Sequence, residues 1–302
     1  MRDRIEQLVS VVSSVVLGKD EVVRLAVACM LAKGHLLIED LPGMGKTTLA
    51  QTLAHVFGLD YRRVQFTSDM LPADILGGAI FDQKTSCFTY HPGPIFTQLL
   101  LADEINRSTA KTQSALLEAM EEGQVSSEGV TRKLPAPFFV IATQNPISQF
   151  GTFPLPESQL DRFLMRISLG YPDPHTEREL LKHGDTRRDI EQLPVCIDST
   201  LLTQLQNACA QVSVSDAVLG YIQRLAQFSR DSDEVVLGIS PRGALALIQA
   251  AKAWAYMSGR DFLMPDDVQQ VFSPVVEHRL LMRGDSESGS AHNILSQVDV
   301  LG

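Results

Sequence analysis

The chain has 302 residues, 44% hydrophobic and 21% charged, which suits a globular protein with room for two domains and a substantial core. A net charge of −10 argues against tight, sequence-independent binding to a polyanion, so nucleic acid is an unlikely partner. The start, Met1 to Gln7, is too charged for a secretory signal, and no apolar run is long enough to span a bilayer. The expectation is a cytoplasmic protein without a membrane span.

From the N-terminus, Ile5, Leu8, Val12 and Val15 fall at helical spacing over residues 3–16. Gly18-Lys19-Asp20 breaks that pattern. Asp20 reads as the N-cap of a second helix over 21–33, which Gly34 ends. Leu36 to Ile38 form a short apolar run that suits a strand buried on both faces. Asp40 to Gly45 then carry a proline and two glycines, and Leu49, Leu53 and Val56 share one face of a following helix.

This strand–loop–helix order is the setting of a phosphate-binding loop. Loop amides and the helix N-terminus cradle phosphates, Lys46 reaches the β- and γ-phosphates, and the Thr47 hydroxyl holds Mg²⁺. Pro42, Gly43, Met44, Gly45, Lys46, Thr47 and Thr48 are therefore assigned to the nucleotide. One position departs from the usual pattern: the opening glycine is replaced by Asp40.

A second strand is expected over 61–66, then a short helical entry at 70–74. Two short strands at 77–81 and 87–90 flank a polar turn, and Pro94 is expected to start another helical segment. A hairpin placed there is an insertion into the core architecture. Gln98 to Glu104 is an apolar strand ending in two adjacent carboxylates, the Walker B arrangement. Asp103 holds Mg²⁺ through water, and Glu104 polarises the attacking water.

Residues 111–122 read as an amphipathic helix and 123–134 as a second hairpin, around Glu128-Gly129. Another buried strand over 137–143 ends in Gln144-Asn145-Pro146. There Asn145 either orients the water and senses the γ-phosphate or serves as a turn residue before Pro146. A short helix over 155–163 leads into a strand over 164–169, and Tyr171 to Pro174 is a linker.

Everything beyond is helical, with segments at 176–182, 201–211, 215–229, 241–257 and 265–279. Ser240 caps the fourth of these, with Pro241 at its first position. The tail from Asp285 is expected to be partly disordered. Cys29, Cys87, Cys196 and Cys209 lack metal-type spacing, and Cys29 and Cys209 read as small core thiols. His35, His55 and His91 read as structural.

Together these motifs resemble the MoxR family of AAA+ ATPases. The runs that carry the resemblance are Leu-Leu-Leu-Ala-Asp-Glu-Ile-Asn-Arg at 99–107, Lys-Thr-Gln-Ser-Ala-Leu-Leu-Glu-Ala-Met at 111–120 and Ala-Thr-Gln-Asn-Pro at 142–146. Leu-Pro-Glu-Ser-Gln-Leu-Asp-Arg-Phe at 155–163 and Ser-Pro-Arg-Gly at 240–243 complete them.

The resemblance implies an α/β fold, a P-loop αβα core with a parallel five-stranded sheet over 1–171. A small all-α lid over 172–302 follows, and the hairpin near 77–90 is the insert that marks the clade. It implies an Mg-dependent ATPase acting as a homo-oligomeric, hexameric ring that remodels or matures a protein partner. That partner carries a von Willebrand factor A domain, and the work includes metal-cofactor insertion.

It further implies that Asn145 is sensor 1, Arg162 the arginine finger that reaches a neighbour's γ-phosphate, and Arg242 sensor 2. Arg107 competes with Arg162 as the interface arginine, and a salt bridge is the alternative for both Arg162 and Arg242. Two other functions share these motor parts: a nucleic-acid motor, for which Arg132 and Lys133 would supply a basic hairpin, and a chelatase-like metal-insertion subunit.

Overall fold

Alternation along three apolar strands decides the architecture. In the computed structural model, which describes residues 1–84, 86–127, 129–145, 152–183, 190–283 and 290–300, the chain opens with helices α1 (Arg2–Val15) and α2 (Asp20–Leu31). Strand β1 (Leu36–Glu39), helix α3 (Lys46–Val56) and strand β2 (Tyr61–Gln65) follow. A short helix α4 (Pro72–Leu76) runs into the hairpin β3 (Gly77–Asp82) and β4 (Cys87–Pro92). Then come β5 (Leu99–Asp103), α5 (Ala110–Glu122), a second hairpin of β6 (Gln124–Ser127) and β7 (Val130–Lys133), and β8 (Phe139–Gln144).

The order β2-β5-β8-β1-β9, with β9 at Met165–Ile167, forms one parallel five-stranded sheet. Leu36, Ile38, Leu99, Leu101, Phe139 and Ile141 face one apolar cluster, which includes residues of α1, α2 and α3. Leu37, Leu100, Ala102, Val140 and Ala142 face the other, beneath α5. A parallel sheet covered on both faces needs apolar residues at every position, which is why these strands read as unbroken apolar runs.

The remaining elements are α6 (Glu157–Leu160), α7 (Pro174–His183), α8 (Ser199–Ala210), α9 (Asp216–Asp231), β10 (Val235–Leu237), α10 (Pro241–Met257), α11 (Pro265–Val276), β11 (Leu281–Met282) and α12 (Ser290–Gln297). Helices α8 to α11 bury their apolar faces in the same cluster as α1 and α2. Small side chains, Ala246, Ala250, Ala251, Ala253 and Ala255, are all buried along α10.

Several local expectations are corrected. Asp20 is the first helical residue of α2 and not its cap; Lys19 occupies the cap position without a side-chain bond. At the other end Lys33 takes the left-handed conformation, φ 58°, that a helix end needs. Gly34 is required for packing instead: a Cβ there would lie 2.2 Å from the Leu164 side chain.

Pro94 starts no helix, because residues 94–98 turn directly into β5. The helix expected over 155–163 is only α6, and the strand after it is shorter than 164–169. The last helix of the reading ends at Val276 and tightens into a 3₁₀ turn over Glu277–Arg279. The antiparallel pair β10–β11 was not expected. In the tail, residues 284–289 lie outside the described residues, but α12 is helical and buries Ala291 and Ile294.

No helix among the described residues is long and apolar enough to cross a membrane. Burial pushes the thiols of Cys29 and Cys209 up, the latter to about 12, so both are inert core groups. His35 is structural too. Its Nδ1 accepts from the Val140 amide at 3.0 Å, and its Nε2 meets the Met120 carbonyl at 3.3 Å.

Candidate nucleotide site

The loop between β1 and α3 turns at Gly43 and Gly45, whose φ values of 86° and 88° lie where a side chain is strained. Pro42 is exposed at the loop's tip, and Met44 tucks partly against the core. Lys46 opens α3 and is buried, Thr47 is half-buried beside it, and Thr48 is buried on the inner face.

The Lys46 ammonium donates to the main-chain oxygens of Asp40 and Leu41 and to the Asn145 side-chain oxygen at 3.3 Å. Burial pulls its pKa below the ordinary lysine value, and the carboxylates of Asp40, Asp103 and Glu104 oppose that shift. The result is a buried cation held among main-chain oxygens, the kind of group a phosphate would engage.

Strands β5 and β8 lie side by side and bring the remaining groups to the same end of the sheet. The Asn145 amide nitrogen donates to Glu104 Oε1 at 3.0 Å, so Asn145 connects Lys46 to Glu104. This is more than a turn residue does; Pro146 itself lies outside the described residues.

Glu104 has φ 56°, a left-handed backbone in a residue that rarely adopts it. Such strain persists only where surroundings enforce it. Here the Glu104 amide donates to the Thr143 hydroxyl at 2.8 Å, and its carbonyl accepts from Arg107 N–H at 2.9 Å. Thr143 in turn donates to Asp103 Oδ1 at 2.6 Å. One hydroxyl therefore orients both carboxylate-bearing residues.

Sequence reasoning missed the partners that reach these carboxylates from β2. Arg63 binds Asp103 Oδ2, and the Gln65 amide donates to Glu104 Oε2 at 2.9 Å. Arg107 also pairs with Glu104 Oε2, at 2.8 Å. Alternate residues of one strand share a face, so Arg63 and Gln65 are a readable pair once β2 is known to neighbour β5. That adjacency was the absent signal.

Asp40 was also left without a role. It is buried, and its carboxylate accepts from the amides of Leu41, Leu169 and Gly170.

Arg162 and Arg242 do not join this group. Arg162 pairs with Glu121 at 3.2 Å, and Arg242 pairs with the same Glu121 at 3.1 Å and with Asp161 at 3.6 Å. They line a pocket with Gly34 and His35, residues that precede β1, whereas Asp40 follows it. At about 3.3 Å per residue, the six steps from Gly34 to Asp40 separate the two places by about 20 Å. In the hairpins, Arg132 lies over the Tyr90 ring, 3.6 Å from its centroid, so the two inserts are joined.

The donors at the carboxyl end of the sheet fit Mg²⁺: a threonine hydroxyl and an aspartate, both hard oxygens.

Two family profiles match the chain: "ATPase family associated with various cellular activities (AAA)" over residues 35–165, and "AAA lid domain" over 227–298. YeaC of Bacillus subtilis, an uncharacterised protein, is 45% identical over 91% of this chain and 86% of its own. Chaperone MoxR1 of Mycobacterium tuberculosis is 40% identical over 93% of this chain and 77% of its own. A crystal structure of a candidate ATPase from Cytophaga hutchinsonii superposes with a TM-score of 0.89 at 34% identity, covering 99% and 95% of the two chains.

Proposed function

Because this chain belongs to the MoxR family of AAA+ ATPases, we propose that it hydrolyses ATP with Mg²⁺ and uses the cycle to remodel or mature a protein partner. One observation carries the hydrolytic part: the Asn145 side chain spans Lys46 and Glu104, linking a phosphate-binding cation to a carboxylate at the end of β5.

In this reading the amides of residues 43–48 and Lys46 bind the phosphates, with Pro42 shaping the loop. Thr47 and Asp103 would hold the Mg²⁺, which would supply charge neutralisation on the phosphate oxygens. Glu104 takes the proton of the attacking water, and Asn145 fixes that carboxylate and senses the γ-phosphate. Thr143 keeps both acidic residues in register.

Arg162 is the arginine finger for a neighbouring subunit's nucleotide, and Arg242, which shares Glu121 with it, is sensor 2 on the lid. Their position beyond the opposite end of β1 supports action in trans, with Glu121 holding both until a neighbour docks. The working assembly is a hexameric ring. The division into a nucleotide-binding core to residue 171 and a helical lid after it belongs to the same reading.

So does a partner with a von Willebrand factor A domain, matured by metal insertion in the cytoplasm. That last part rests on family likeness. The stacking of Arg132 on Tyr90 favours a protein client over nucleic acid, because one of the hairpin's two basic groups is already engaged.

The test is ATP hydrolysis against protein concentration with light-scattering mass alongside, for the wild type and Glu104→Gln. Turnover per chain should rise as rings form, and Glu104→Gln should bind ATP without turning it over. Wild-type turnover by Glu104→Gln would remove the water-activating role. Activity per chain independent of concentration would remove the shared site.

A further inference from the structure

The position where phosphate-binding loops ordinarily open with glycine carries Asp40. Its φ is not left-handed, so the conformational freedom of glycine is not needed here. What the side chain does instead is specific. Asp40 is only 7% exposed, and Oδ2 accepts from three donors beyond β9: the Leu169 amide at 2.7 Å, the Gly170 amide at 2.7 Å and the Ser168 hydroxyl at 3.1 Å. Oδ1 accepts from the Leu41 amide at 2.8 Å.

Gly170 has φ 62°, and consecutive amides of a turn with one left-handed residue converge on a concavity that ordinarily receives an anion. The chain supplies that anion itself, from the phosphate-binding loop. The same two loop residues, Asp40 and Leu41, present their main-chain oxygens to the Lys46 ammonium. One residue after Gly170, the Tyr171 carbonyl accepts from Lys19 at 2.8 Å, and the linker then enters α7.

We propose that Asp40 is a positioning residue that ties the phosphate-binding loop to the linker between β9 and α7, so that nucleotide in the loop and the setting of the linker form one coupled equilibrium. The coupling rests on the ATPase reading above. Its route is short. A phosphate that draws Lys46 away from the Asp40 and Leu41 carbonyls changes what holds the loop. The carboxylate of the same residue carries that change to Leu169 and Gly170. By reciprocity, a linker that moves alters the affinity of the loop.

The experiment uses the full chain, Mg–ADP as the probe, and amide hydrogen exchange at Leu169 and Gly170 with an ADP titration. In the wild type, ADP should change the protection of these two amides. Asp40→Asn keeps the volume but turns an amide nitrogen toward donors. It should lower their protection about tenfold or more, the scale of a lost charge-assisted bond. It should also abolish their response to ADP and weaken ADP binding about tenfold.

Wild-type affinity and a wild-type exchange response in Asp40→Asn would overturn the proposal. So would a variant with lowered Tm but an intact response, which would make the residue structural only. Should Asp40→Asn not fold, Ser168→Ala removes the longest of the three linker bonds. It should reduce the same two readouts by a smaller factor, about twofold to threefold; no change in either would overturn the coupling. A wild type that binds no ADP would bring down the ATPase reading and the coupling with it, and the wild-type titration identifies that failure by itself.

Discussion

Arg63 donates to a single oxygen of Asp103 through both Nε and Nη2, at 3.1 and 2.6 Å. With Thr143 on the other oxygen, the aspartate is held from both sides. Pre-set orientation is what a group needs if it is to act on phosphate oxygens without reorganising. Arg63→Met should therefore lower kcat for ATP about tenfold and leave Tm within a few degrees, because the guanidinium is half-exposed and exposed ion pairs add little stability. Steady-state hydrolysis and a melting curve on the same sample check this; an unchanged kcat would show that Thr143 suffices.

Thr143 is the complementary case. Its hydroxyl accepts from the Glu104 amide and donates to Asp103, so Thr143→Val deletes both bonds at nearly constant volume. The left-handed backbone of Glu104 then loses its restraint. The expected result is a fall in kcat of about 10²-fold, within the range by which positioned acid–base groups act, and a smaller change in KM. Equal changes in kcat and KM would point to a disturbed nucleotide pocket instead.

The principal groups of the site were legible in the sequence because each sits at a junction with its own signature. Gly43 and Gly45 mark the loop, Asp103-Glu104 ends an apolar run, and Asn145 ends the next one. The parallel five-stranded sheet was expected only from family resemblance, its strand order was not legible, and neither were the contacts that depend on that order. Arg63 and Gln65 look like ordinary exposed residues of an edge strand until β2 is set beside β5. Asp40 meets Gly170 across 130 positions of chain, a distance over which local pattern carries no information. The capping error at Asp20 has a different origin: acidic residues suit both the cap and the first turn of a helix, and here the first turn won.

The two arginines that share Glu121 give a prediction in a mixed population. Arg162→Ala should lower the ATPase rate about 10³-fold, the lower end for an arginine supplied in trans, while ATP binding by each chain persists. Mixed with wild type, it should depress activity by more than its share of subunits. Activity that falls in simple proportion would place Arg162 outside the shared site and leave its contact with Glu121 as a surface ion pair.

Gly34 tests the packing between the end of α2 and β9. A Cβ at this position meets the Leu164 Cβ at 2.3 Å and its Cδ2 at 2.2 Å, contacts that only backbone movement can relieve. Leu164 is itself anchored, since its amide donates to the His35 carbonyl at 2.9 Å. Gly34→Ala should cost about 1–3 kcal/mol, the usual penalty of overpacking, read as a lower urea midpoint. The unaltered P-loop should keep its nucleotide affinity near the wild-type value.

Burial of His35 makes the fold sensitive to acid. Removed from water, its imidazole has a pKa pulled down from the ordinary 6.5 to about 4, with the Met120 carbonyl opposing the shift. His278 is lowered as well, by burial first and then by the Arg279 charge beside it. The unfolded chain takes up these protons near pH 6.5 and the folded chain resists them to lower pH, so the unfolded state binds more protons between the two values. Stability from His35 is therefore full above pH 6.5 and is lost as pH falls toward 4, by ~2 kcal/mol at pH 5. Urea unfolding at pH 7 and pH 5 should show this loss in the wild type. In His35→Gln the pH difference should shrink by about that amount, on top of a lower stability at both pH values. A variant with the full wild-type difference would assign the acid sensitivity to His278 and the carboxylates instead.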